Sequence, residues 1–369
     1  MQLEKITKRL QPFHHKKSRP HLKLPDFPWD LLAPYGEKAK KYAGGFIDLS
    51  QGTPVDPTPK FIQDSLTAAS NSPSYPVVAG TKELQEAIRV WSIKNLGVTG
   101  EFDVLPSIGS KEFIALLPTF LQSKKVLYPK VAYPTYQVSA MMASAQGIPV
   151  EIDASTWPAA DLAWLNSPSN PTGQVQSDEE LKACITWVRK NNSIIASDEC
   201  YLSFAHNAKS ILALANGDNT GLLAVLSLSK RSNLAGYRAG FVVGDSKLID
   251  QIRQVRKHAG LMVPLPVQQA MITALSDEVH VKEQAARYRA RRETLKSALL
   301  SQGFKIEYSE AGLYIWCTRG EDGYKTVDYF AQLGILVTPG AFYGSDNFVR
   351  IALTATDENI NKAAVRIKS

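Results

Sequence analysis

A chain of 369 residues is too long for one small core and suits two domains of ordinary size. With 44% hydrophobic and 21% charged residues it reads as a globular protein, and no run reaches the roughly 18 to 20 uncharged apolar residues of a membrane helix. Of the net charge of +7, residues 1–24 carry +6, leaving the rest nearly neutral, so a nucleic-acid partner has little support.

That basic extension holds Lys5, Lys8, Arg9, Lys16, Lys17, Arg19 and Lys23 against Glu4 alone, together with His14, His15 and His21. It has no apolar h-region and is not a secretory signal; it reads as a solvated tail or a weak polyanion-binding arm. Cys184, Cys200 and Cys317 are far apart and form no CxxC pair. They suggest neither a disulfide framework nor a zinc site, no metal is expected, and a reducing, cytoplasmic compartment follows.

In chain order, LPDFPWDLLAPYGEKA (24–39) leads into a short helix. From about Ser50 a βα rhythm begins, with strands expected at KKVLYP (124–129), DLAWLNSP (161–168), SIIASDE (193–199), LLAVLSLS (222–229) and RAGFVVGD (238–245). The helix at SDEELKACITWVRK (177–190) opens on a capping box, Ser177 with Glu180, and closes on Arg189 and Lys190, suiting both ends of its dipole. Apolar strands alternating with helices predict an α/β fold, a mostly parallel sheet covered on both faces, with ligands at the strands' carboxyl ends. After about residue 256 the pattern changes to a long charged helix (282–303) and strands YIWCT (314–318), GILVTPG (334–340) and NFVRIAL (347–353). The expected organisation is a basic extension (1–24), a large domain (50–255) and a smaller α+β domain formed by 25–49 with 256–369.

Four polar clusters fall at predicted strand ends. SIGSKEF (107–113) places Gly109, Ser110 and Lys111 at a helix N-terminus, whose N–H groups and dipole favour a phosphate. SPSNPTG (167–173) presents the Asn170 amide from a proline-stiffened corner, though NPTG is also a common turn. SDECY (197–201) sets the Asp198 carboxylate and the Tyr201 phenol at the binding edge, where Asp198 also suits a plain helix cap. SLSKRSNLAGYRAG (227–240) surrounds Lys230 with Ser227, Ser229 and Arg238, an anion cup beside an amine, while Gly236 and Gly240 suit a tight turn. Arg231 reads as solvated, and His206, His258 and His280 have no evident partners. A phosphate cup, an aspartate, a phenol, an amide and an amine together suit pyridoxal 5′-phosphate, the lysine holding its aldehyde and the aspartate its pyridine nitrogen.

The motifs LSQGTP, YPVVAG, GSKE, YPTY, NPTG, DECY, SLSKxxxxxGYRAG and FVRIAL, in that order, resemble the class I/II aminotransferases of fold type I, over nearly the whole chain from Leu24. The resemblance implies an aspartate-aminotransferase-like fold whose large sheet is of the seven-stranded type. It places the Schiff-base lysine at Lys230, the pyridine partner at Asp198 and the ring-hydroxyl partners at Asn170 and Tyr201. The phosphate cup falls on Ser110, the backbone N–H of Lys111, Ser227 or Ser229, and Arg238, with Tyr133 stacked on the ring. Tyr75 would reach the phosphate of a neighbouring subunit, implying a homodimer with shared sites, and Gly52 and Arg350 would receive the substrate α-carboxylate. LPDFPWDLL, IDLSQGTPVDPTP and GSKEFIALLPTFL are most similar to succinyldiaminopimelate aminotransferases, which implies glutamate as donor, a 2-oxo acid acceptor and a place in lysine and diaminopimelate synthesis. An aminotransferase for aspartate, aromatic or other amino acids, a carbon–sulfur β-lyase, and a non-catalytic ligand-binding protein remain alternatives. No GxGxxG follows an early strand, which disfavours a nicotinamide dehydrogenase.

Overall fold

The computed structural model describes residues 24–25 and 28–369; the basic extension before Leu24 lies outside the described residues. Seven strands form the large sheet: β1 (Asp103–Ile108), β2 (Lys125–Pro129), β3 (Gln146–Val150), β4 (Leu162–Asn166), β5 (Ile194–Asp198), β6 (Leu222–Ser227) and β7 (Ala239–Gly244). Their order is β1-β7-β6-β5-β4-β2-β3. Strands β2 to β6 run parallel, and β7 alone opposes both of its neighbours.

Alternation along the central strands shows why the sheet needs cover on both faces. In β6, Leu222, Ala224 and Leu226 enter the core on one face, and Leu223 and Val225 the core on the other. The two strands that pattern reading misses, β1 and β3, are the sheet's edges, and each contains a proline, Pro106 or Pro149. A proline cannot donate to a ladder and is tolerated at an edge, so its presence in a short run hides a real strand.

The expected strand over 222–229 ends at Ser227, because Leu228–Arg231 turns into a single helical turn. The expected strand over 334–340 is split: Ile335–Leu336 pairs with Ile47–Asp48, and Thr338–Pro339 joins a different sheet. That second sheet has four strands, β8 (Lys305–Glu307), β9 (Tyr314–Thr318), β10 (Thr338–Pro339) and β11 (Val349–Ala352), in the order β10-β11-β9-β8. Its core is separate from those of the large sheet. The helix Leu265–Ser276, assigned by pattern to the smaller unit, instead buries Ala270, Met271 and Ala274 in the core beneath the large sheet. A 23-residue helix, Val279–Ser301, then packs on the turn Leu228–Arg231 and on the strands of the small sheet. Among the described residues no helix is long and apolar enough to cross a membrane.

The capping box at 177–180 forms in full: the Ser177 N–H donates to Glu180 Oε2 at 2.7 Å, and the Glu180 N–H donates to Ser177 Oγ at 3.2 Å. Ser177→Ala removes one of these bonds far from the cleft. It should lower stability in urea unfolding by about 1 kcal/mol, and a loss within error of zero would show that the cap carries no load.

Candidate functional site

Parallel strands end on the same side of the sheet: Asn166 and Asp198, the last residues of β4 and β5, lie opposite each other, and β6 runs two residues beyond Val225, the partner of Asp198. At that edge opens a cleft of about 940 Å³. Its wall contains Gly52, Ser110, Lys111, Tyr133, Asn170, Asp198, Tyr201, Ser227, Ser229, Lys230, Arg238 and Arg350. Of the fourteen site residues singled out from sequence, only Gly109 and Tyr75 are not in the wall. Gly109 sits directly behind it with φ +70°, and a Cβ there would collide with the Arg238 guanidinium, so glycine is required. Tyr75 is 94% exposed and does not line this chain's own cleft.

Asp198 is 5% exposed at the end of β5. Burial raises its carboxyl above the usual range, opposed by bonds from Cys200 and Tyr136. Tyr136 Oη donates to Asp198 Oδ2 at 2.8 Å and its ring stacks on Trp164. Asn166 holds the same corner: its Nδ2 donates to the Asp198 carbonyl at 2.9 Å, and its Oδ1 accepts the Asn170 N–H at 2.7 Å.

Lys230 lies on the one-turn helix Leu228–Arg231, where Ser227 Oγ accepts the Ser229 N–H at 3.1 Å as the N-cap. Its Nζ donates to the Gly52 carbonyl. Burial, with Arg350 and Arg238 nearby, brings this amine down to about 8. Arg238 itself adopts the left-handed conformation (φ 56°), and its Nη1 donates to the Ala235 carbonyl at 2.9 Å. Gly236, expected to shape this turn, has open space around it and no positive φ, whereas Gly240 packs against the backbone of Gly109 and Leu226.

Arg350 comes from β11 of the other sheet and is 2% exposed. Its guanidinium donates to Asn170 Oδ1 at 2.9 Å and to the Ser50 carbonyl at 2.6 Å, and lies 4.1 Å from the ring centroid of Tyr314. Among the described residues it has no carboxylate partner. The Tyr314 hydroxyl lies 3.2 Å from that of Tyr201 and fills the space a Cβ on Gly52 would take, so Gly52 is fixed by its neighbour's ring.

Pattern reading thus missed Tyr136, Tyr314 and Asn166. The first two look like ordinary core aromatics. The three-residue spacing of Tyr133 and Tyr136 across the start of the helix Thr135–Met142 was the available signal. Two residues treated as idle are engaged: Arg231 is 3% exposed and paired with Glu278, and His280 contacts Asp277 and Ser232.

The family model for aminotransferase class I and II matches residues 45–367. The 4-dedimethylamino-4-oxo-anhydrotetracycline transaminase OxyQ of Streptomyces rimosus is 48% identical, over 93% of this chain and 99% of that one. An LL-diaminopimelate aminotransferase of Dehalococcoides mccartyi is 32% identical, over 89% and 92% of the two chains. Among solved structures, a probable N-succinyldiaminopimelate aminotransferase from Thermus thermophilus superposes with a TM-score of 0.85 at 28% identity, over 93% of this chain and 99% of that one.

The lowered Lys230 amine gives a direct test. Labelling of ligand-free protein with a small amine-selective reagent, followed by peptide mass spectrometry, should modify Lys230 with a pH midpoint near 8. A midpoint near the ordinary lysine value of roughly 10.4 would contradict this environment.

Proposed function

Because the chain belongs to the class I and II aminotransferases, we propose that it moves an amino group between glutamate and the oxo-acid counterpart of N-succinyl-LL-2,6-diaminopimelate. The cofactor is pyridoxal 5′-phosphate, as throughout the family. One observation carries the catalytic reading: the described cleft wall holds four basic side chains, Lys111, Lys230, Arg238 and Arg350, against the single carboxylate of Asp198. Such a wall is built for anions, and a phosphate and an α-carboxylate supply two.

The residues fit the cofactor chemically. Lys230 would hold its aldehyde, Asp198 its pyridine nitrogen, Asn170 and Tyr201 its ring hydroxyl, and Tyr133 one face of the ring. Gly109, Ser110, the Lys111 N–H, Ser227, Ser229 and Arg238 would hold the phosphate. When bound, the cofactor supplies an electron sink for the carbon that carries the amino group. Arg350 orients the substrate through its α-carboxylate, since a planar fork matches a planar anion, with Gly52 leaving room beside it. Lys230, once released from the aldehyde, carries the proton to and from the substrate α-carbon; an amine near 8 is neutral often enough to act as that base. Tyr136 and Asn166 keep Asp198 oriented. Tyr75, exposed on this chain, would reach the phosphate held by a second copy in a homodimer.

The acceptor assignment is supported by the segments quoted from the sequence and by the likeness to diaminopimelate-named relatives. A second reading, an acceptor with a large apolar body, is favoured by the apolar part of the cleft wall, to which Trp29, Leu31, Met142, Tyr324 and Phe342 belong.

With glutamate as donor, a panel of oxo acids followed by release of 2-oxoglutarate should give the highest kcat/KM for the succinylated acceptor. A clear preference for an apolar, ring-bearing acceptor would replace that assignment. Lys230→Ala should lower turnover by about 10²–10⁴-fold or more, and wild-type turnover in that variant would remove the lysine from the mechanism.

A further inference from the structure

Lys230 sits on a helix of a single turn, which has almost no internal hydrogen bonding to hold its own direction. Its orientation must come from what flanks it. On the cleft side Ser227 caps it; on the far side the three residues after the lysine each bond to the start of the helix Val279–Ser301. Arg231 Nη2 donates to Glu278 Oε1 at 2.7 Å, and Trp91 Nε1 donates to the same oxygen at 2.7 Å. The Arg231 guanidinium lies 4.9 Å from the Trp91 ring centroid. Ser232 Oγ and His280 Nε2 are 2.9 Å apart, and the other ring nitrogen of His280 meets Asp277. Asn233 Nδ2 reaches Gln284 Oε1 at 3.2 Å.

The Ser232, His280 and Asp277 side chains form the outline of a hydrolytic triad, but Ser232 is 1% exposed and no substrate could reach it. The arrangement is therefore structural in its chemistry, and its place in the chain gives it a purpose. Farther along the same helix, Arg291 bonds to Asp56 at 2.8 Å, to Asp357 at 2.6 Å and to the carbonyl of Leu353, directly after the strand that carries Arg350. One helix thus ties the lysine's turn to the arginine's strand.

We propose that Glu278 and His280, through Arg231 and Ser232, are positioning residues: they clasp the turn carrying Lys230 to the helix that also supports Arg350, and so set where the amine stands in the cleft. The proposal rests on Lys230 being the covalent anchor of the cofactor. Glu278 is 29% exposed and touches neither the cleft wall nor any group assigned to the cofactor. Its loss leaves a buried guanidinium without its carboxylate, and the turn must shift to resolve that.

The test separates placing the amine from holding the phosphate. Apoenzyme is mixed with pyridoxal 5′-phosphate, and covalent capture is followed by absorbance. Capture is condensation of the Lys230 amine with the aldehyde, expelling water; borohydride then delivers hydride to the C=N bond and makes the link permanent. Binding of pyridoxamine 5′-phosphate, which has no aldehyde, is measured in parallel by calorimetry. Glu278→Ala should slow capture by about tenfold or more while pyridoxamine phosphate affinity stays within about twofold, because small misplacements of a reacting group are expensive in rate. Ser232→Ala, which deletes one hydroxyl, should slow capture less but in the same direction. Unchanged capture in both variants, or capture and pyridoxamine phosphate affinity falling together, overturns the clasp while leaving the functional reading intact. A wild-type protein that binds pyridoxamine phosphate but forms no borohydride-stable link overturns the functional reading and the clasp with it.

Discussion

Lys230, Arg238 and Arg350 face one cleft without a carboxylate salt bridge to any of them among the described residues. Arg350 is buried and Lys230 partly buried, while Arg238 is exposed to solvent; a charge taken out of water is not tolerated without compensation. Here compensation is partial: backbone carbonyls of Gly52, Ala235 and Ser50 and the side-chain oxygen of Asn170 receive the donated hydrogen bonds. Neutral acceptors stabilise a cation less than an anion does. The cleft is thus held in a state that anions complete, and each neighbouring feature, from Gly109 behind Arg238 to Tyr314 beneath Arg350, serves to keep those cations in place.

The cations come from different structural layers, and that sets the geometry. Lys230 and Arg238 belong to the segment joining β6 to β7 of the large sheet, while Arg350 belongs to β11 of the small one. No local motif can fix their spacing. It is carried by long-range bonds: Arg350 to Asn170, Lys230 to Gly52, and the Val279–Ser301 helix packing on both the one-turn helix of Lys230 and the small sheet. The site is therefore a property of how two sheets are set against each other, and rigid helices are the elements suited to transmit that setting.

Much of this was legible in the sequence because the cleft is built at strand ends. A buried parallel strand reads as a plain apolar run, and the polar residues that interrupt it stand out: Asp198 after SIIAS, Lys230 after LLAVLSLS. What stayed hidden has physical reasons too. Strands β1 and β3 carry prolines that only an edge tolerates. Tyr136 and Tyr314 bury their rings like any core aromatic, and only their hydroxyls, aimed at Asp198 and Tyr201, distinguish them. Arg231 and His280 looked idle because their partners lie 47 and 48 residues away in the chain. Local pattern reports periodicity and turn chemistry; it carries no information about which distant carboxylate meets a given guanidinium.

The cleft wall also divides between polar and apolar elements. The polar part is charged and hydrogen-bonded, and Asp198 and Lys230 hang on a strand end or on the turn directly after one. The apolar part comes from different elements: Leu24, Pro25, Pro28, Trp29 and Leu31, Met142 at the end of a helix, Tyr324 at the start of another, and the Gly340–Tyr343 turn. Two of these elements also reach the charged wall: the Arg350 guanidinium lies 6.0 Å from the Trp29 ring centroid and 4.9 Å from that of Tyr343. The apolar side chains thus come from loops and element termini, the parts of a fold that change most readily, while the reacting groups sit on the scaffold. A fold of this kind carries different functions by changing the residues around a fixed scaffold, and the chain is similar to relatives with names as different as 4-dedimethylamino-4-oxo-anhydrotetracycline transaminase and LL-diaminopimelate aminotransferase.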